Sequence, residues 1–221
     1  MEHKTKSRIF FPNLILLVTG FIIISISVFS IAKITMTKTK NATVLNSLEN
    51  EYYIVGKDPT VIQKETFTLL SEELTKEVRD NKEIADLVAQ SFVIDFFNWS
   101  NKEASYDIGG LQYMYDPTTF NKVAHLEYYQ KVDVFNTTYG SENLPTVSNV
   151  FSTTTKAPAY LLDGVMKEAY KTNVRWTYLD SKNLKISDFV DECEITLIND
   201  NGKISIVEIN MFADSVGEFD E

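Results

Sequence analysis

Apolar positions along the chain fall first in one solid block, then at helical spacing, then in alternation. Residues 14–32, LILLVTGFIIISISVFSIA, carry no charge. At ~1.5 Å rise per residue they make about 28 Å of helix, the thickness of bilayer hydrocarbon, and predict a transmembrane helix. Residues 33–59 are polar and rich in Thr, Asn and Lys, which reads as a juxtamembrane linker. Helical periodicity follows. TVIQ fits a capping box opening at Thr60, with Phe67, Leu70, Leu74 and Val78 at helical spacing behind it. A second start at Asp80, with Glu83 three residues on, leads into EIADLVAQSFVIDFFNWSNK, and Gly109-Gly110 breaks the chain. Asp116-Pro117 marks a third start, whose helix should run to about Phe135 and stop before Gly140.

Beyond Pro145 the period becomes two. TVSNVFSTTT reads as a strand. In VMKEAYKTNVRWTYL, Met166, Tyr170, Val174, Trp176 and Tyr178 share one face, and Lys167, Lys171 and Arg175 take the other. CEITLI and ISIVEINMF follow, joined at Asn199-Asp200-Asn201-Gly202, residues that tolerate a hairpin turn. Helices first and strands afterwards predict an α+β fold: an N-terminal transmembrane helix, then about three helices packed on a curved antiparallel sheet of about four strands. The domain map is a cytoplasmic tail at 1–13, the membrane helix at 14–32, the linker at 33–59, the main domain at 60–214 and an acidic tail at 215–221.

Charge refines this picture. The net charge of −10 conceals about +5 over residues 1–40 and about −15 over the remainder. So acidic a main domain excludes nucleic acid as its direct partner, because phosphate binding rests on Lys and Arg displacing counterions. The short basic tail favours an inside tail and an extracytoplasmic domain, in a single-pass cell-membrane protein. Cleavage after Ala32, as from a signal peptide, is the competing reading. One cysteine, Cys193, allows no intramolecular disulfide and reads as a small buried side chain in a strand.

Little in the chain has the pattern of a reactive site. His125 is the one histidine beyond the N-terminal tail, so no Ser/His/Asp, Cys/His or metal-binding spacing can be drawn, and no phosphate-binding glycine loop is present. No cofactor and no metal are expected. Asp95, in SFVIDFFNWSN, is the weak catalytic candidate: a carboxylate in an aromatic-lined cavity could serve as general acid or base. Tyr106, Tyr113, Tyr115 and Tyr170 could supply hydroxyls to such a cavity. Against this, Ser91, Asp95, Asn98 and Lys102 fall on one helical stripe, which predicts that Asp95 faces water or the edge of a cleft. Lys167, Lys171 and Arg175 are the candidate partner-binding residues, three cations on the open face of a strand. An acidic partner, or the tail GEFDE of a second copy, would suit them. The ordinary reading of these cations is solvation of an exposed sheet face with cross-strand ion pairs.

Three helices and then four strands behind one membrane anchor resemble the cone-shaped fold of nuclear transport factor 2. In particular they resemble the extracytoplasmic domains of scaffold proteins in conjugative (type IV) secretion. The resemblance covers about residues 60–214 and is one of architecture. IDFFNWSNK and GGLQYMYDP also look like segments of uncharacterised membrane-anchored proteins of low-GC Gram-positive bacteria. The resemblance implies a non-enzymatic protein-interaction or assembly domain, with protein partners or self-association, in a conjugation or secretion machine. The alternative it implies is a small-ligand-binding or enzymatic cone with Asp95 in its cavity.

Overall fold

The structure, a computed structural model, describes residues 49–56 and 58–211. The expected transmembrane helix, both tails and most of the linker lie outside the described residues. Among the described residues no helix is long and apolar enough to cross a membrane.

The three helix starts form where local chemistry places them. At α1 (Val61–Leu74) the capping box is complete: Gln63 N–H donates to the Thr60 hydroxyl at 3.3 Å, and Thr60 N–H to Gln63 Oε1 at 2.7 Å. At α2 (Asn81–Phe96) the Asp80 carboxylate accepts from Lys82 N and Glu83 N. At α3 (Pro117–Ala124) Asp116 accepts from Thr119 N at 3.0 Å, ahead of a proline whose missing N–H needs no partner there. The expected third helix is divided. A π-helical turn, His125–Tyr129, separates α3 from α4 (Val132–Tyr139), and α4 ends at Gly140 with φ 80°. Among the described residues four α-helices therefore stand where three were expected after the membrane helix.

The sheet is an antiparallel meander in the order β1 (Val147–Leu162), β2 (Val165–Tyr178), β3 (Glu192–Asp200), β4 (Lys203–Met211). Two tight hairpins close it. Asp163-Gly164 and Asn201-Gly202 each carry positive φ at both positions, the geometry whose twist matches paired strands. Alternation holds where β3 flanks β2: Tyr170, Val174 and Trp176 are buried. It fails at Met166, which is 61 % exposed. The β2–β3 register begins only at Ala169, so the hairpin end of β2 has no core to face.

Helix α2 is the central element and is buried over most of its circumference, from Ile84 through Phe96. It packs against α1 and the sheet, where Ile195, Leu197, Ile204 and Ile206 complete the core. The folded domain starts before Thr60. Tyr53, expected in the linker, is 1 % exposed, and its hydroxyl donates to Ile204 O at 2.6 Å.

Candidate functional site

Two sites of opposite character grow from the C-terminal end of α2. The first surrounds Asp95. The predicted polar stripe is only half built: α2 ends at Phe96, so Ser91 and Asp95 share its face while Asn98 and Lys102 lie in the chain beyond it, and all four are buried. The chain beyond α2 folds back over the stripe. Lys102 Nζ lies 2.7 Å from Asp95 Oδ1, and Gln63 Nε2 from α1 donates to the same oxygen at 3.1 Å. Gly110 N–H donates to Oδ2 at 2.7 Å, joined by Gln112 Nε2 at 3.3 Å. Four donors thus converge on one carboxylate, the arrangement that makes a buried charge tolerable.

The glycine pair explains how the loop comes so close. A Cβ on Gly109 would sit 2.3 Å from the Asp95 carbonyl oxygen. One on Gly110, at φ 77°, would lie 2.6 Å from the Phe92 ring. Asn98 extends the network by accepting from Val147 N and donating to Asn101 Oδ1, while Asn101 reaches Gln63 Oε1.

The void beside Asp95, lined in part by Gln63, Ser91, Gln112 and Tyr113, measures about 10 Å³. That is the scale of one water and no substrate fits it. The expectation that Asp95 faces water or a cleft edge is corrected by this closure. Of the four candidate tyrosines only Tyr113 adjoins Asp95. Burial first, and then the Asp95 charge, hold its phenol well above the usual range. Tyr106 is exposed, Tyr115 reaches Asp163 at 3.4 Å, and Tyr170 is buried elsewhere in the core. They form no common site.

The second site is an aromatic pocket of about 390 Å³. The end of α2 and its exit supply Phe96, Phe97 and Trp99; the π turn supplies Glu127 and Tyr128. Lys131 and Phe135 come from the start of α4 and its approach, Tyr178 from β2, and Asp188 and Phe189 from the loop between β2 and β3. Its rings support one another edge to face, Trp99 on Phe189 with centroids 5.5 Å apart and Phe96 on Tyr128 at 5.6 Å. Backbone contacts hold the walls: Trp99 N–H donates to Pro145 O at 2.8 Å, and the Tyr178 hydroxyl to Val190 O at 2.7 Å.

The π turn serves both sites. Its extra residue per turn leaves Tyr128 on the pocket wall and Tyr129 fully buried. The Tyr129 hydroxyl donates to Phe96 O at 2.6 Å and accepts from Gly109 N–H at 3.2 Å, which ties pocket to hub. Beneath this wall lies Cys193, whose thiol is pushed up to about 12 by burial and then by Glu192.

The three cations of β2 each meet a carboxylate of β3. Lys167 pairs with Asp200 at 2.8 Å, Lys171 with Glu194 at 2.7 Å and Arg175 with Glu192 at 2.9 Å. The stripe is therefore one side of a charge-balanced cross-strand ladder on a partly exposed face. His125 falls in the π turn, and among the described residues no cluster of His, Cys, Asp and Glu is suited to hold a metal ion.

Sequence reasoning missed the pocket because its residues come from five separate segments. The available signal was Trp99, a large aromatic residue placed just past the end of a helix already covered in apolar side chains. No family model, no curated protein and no solved structure matches this chain.

Proposed function

We propose that the domain is a non-catalytic binding and assembly module that holds an apolar side chain of a protein partner in the aromatic pocket. The observation that carries this reading is the pocket itself: about 390 Å³ walled by aromatic rings, against a closed void at the buried Asp95 hub. Ligand sites of ~300–1,000 Å³ with apolar walls and a few rim charges are the usual form of such a pocket. This one, near the lower end, suits a large side chain rather than an extended cofactor. Glu127, Lys131 and Asp188 at its margin bring both signs of charge, which favours the dipoles of a peptide over a strongly charged ligand.

The uncharged run at residues 14–32 supports a single-pass anchor with this domain outside the cytoplasm. The order of helices and strands supports the conjugation or secretion scaffold as its setting. The enzymatic alternative loses its basis in the closure around Asp95.

The test uses the full chain in lipid nanodiscs, with 5-fluorotryptophan at its two tryptophans and N-acetylphenylalaninamide as probe. A ligand of about fifteen non-hydrogen atoms should bind at roughly millimolar concentration. The Trp99 fluorine resonance should shift saturably while that of buried Trp176 stays in place. Silence at Trp99, or an identical shift in Phe135→Asp, would remove the reading.

A further inference from the structure

The two edges of the sheet are treated differently. β4 is covered at Ile206 by a bridge from Met114, and Tyr115 N–H donates to Ile206 O at 2.9 Å. Its remaining length carries Lys203 and Glu208. Along β1, by contrast, Asn149 through Ala157 pair with Thr177 through Ala169 in unbroken register on one side. No described residue pairs with their other side. Natural edge strands are guarded by charge, proline or bulges. Here the register shifts and Pro158 lie at or beyond the ends of this nine-residue run, and Lys156 is its one charge.

We propose that this run is a self-pairing edge: two copies of the chain add β1 to β1 in antiparallel order, with Thr153 opposite Thr153 of the second copy. The two four-stranded sheets then become one continuous sheet about a two-fold axis. The register keeps side chains on their own faces, because residues 149, 151, 153, 155 and 157 meet one another. Phe151, 65 % exposed, lies against Thr155 of the second copy. Lys156 lies opposite Val150, so the two ammonium groups never meet. A second copy is the occupant this edge fits, because the single charge of each side, Lys156, faces an apolar Val150 and every other residue of the run is uncharged. A strongly charged partner would find nothing to pair with. The surface is separate from the aromatic pocket, and either proposal can fail without the other.

The experiment is sedimentation equilibrium of the full chain in detergent, combined with cysteine cross-linking. Two copies per particle are expected. Thr153→Cys should form a disulfide-linked dimer on mild oxidation, since residues facing each other across antiparallel strands lie within disulfide reach. Asn149→Cys should not, because its two copies lie eight residues apart along the strands, roughly 27 Å. Buried Cys193 does not compete. Thr153→Lys, an exposed substitution that sets two ammonium groups face to face, should weaken association by about tenfold or more. A chain that stays monomeric overturns the proposal. So does a dimer indifferent to Thr153→Lys, or cross-linking as efficient at 149 as at 153.

Discussion

Asp95 and Phe96 are neighbours in sequence and finish on opposite kinds of site. Asp95 turns into a polar hub that four donors close completely, with about 10 Å³ left beside it. Phe96 turns into an apolar pocket of about 390 Å³ whose rings line its walls without filling it. The charged residue, which draws attention first, serves the fold. The aromatic residues, which read first as core, leave room for something else. A buried charge must be saturated by its own protein to be stable, and saturation consumes the very lone pairs that chemistry on a substrate would need. Apolar walls carry no such demand, so a gap between them can persist for a ligand.

Substitutions at the two sites should separate these roles. Lys102→Met, which strands the Asp95 carboxylate, should lower unfolding stability by about 3–5 kcal/mol in urea titration. A loss below ~1 kcal/mol would mean that the hub is wetter than this geometry implies. Gly109→Ala drives a methyl group against the Asp95 backbone, and the loop must shift to relieve it. A loss of about 2 kcal/mol is expected from thermal melting. Phe135→Asp should cost the fold about 1–2 kcal/mol, while abolishing the Trp99 response to N-acetylphenylalaninamide. Arg175→Ala removes one rung of the exposed ladder. Its effect on stability should be the smallest of these and should fade at high salt.

The gentlest probe is Cys193 under the pocket wall. With its thiol pushed up to about 12, the reactive thiolate is scarce at pH 8 in the folded protein and becomes common only on unfolding. Iodoacetamide should therefore label Cys193 at the rate of unfolding. Rapid labelling of the native chain would show that the pocket opens deeper into the core.

Legibility followed the range of the interactions. Local signals read true: the Thr60, Asp80 and Asp116 caps and the Asn201-Gly202 turn all depend on residues within one or two turns of each other. Asp163-Gly164 carried the same signal as Asn201-Gly202 and closes the longer hairpin, yet it lay unnoticed inside an apolar run. Periodicity was right for Tyr170 to Trp176, where β3 lies alongside, and wrong at Met166, where β3 is absent. The stripe from Ser91 to Lys102 held on the helix only as far as Asp95, because α2 ends at Phe96, and it turned inward rather than toward water. Helical spacing shows which residues share a face, but Gln63 and Gly110, distant in sequence, decide what covers that face. Cross-strand ion pairs were foreseen for Lys167, Lys171 and Arg175, but not their partners, which all belong to β3.

Hub and pocket divide the labour between stability and binding, and one variant tests both halves together. In Asp95→Asn combined with Lys102→Met, both buried charges vanish while the side chain at 95 keeps an oxygen for Gly110 N–H. The measurement is the Trp99 fluorine titration with N-acetylphenylalaninamide on this folded double variant. The double variant should be more stable than Lys102→Met alone and should bind the probe within about twofold of the parent affinity. A double variant that folds and melts like the parent but no longer binds the probe would contradict that division, because the Asp95 charge would then belong to the function.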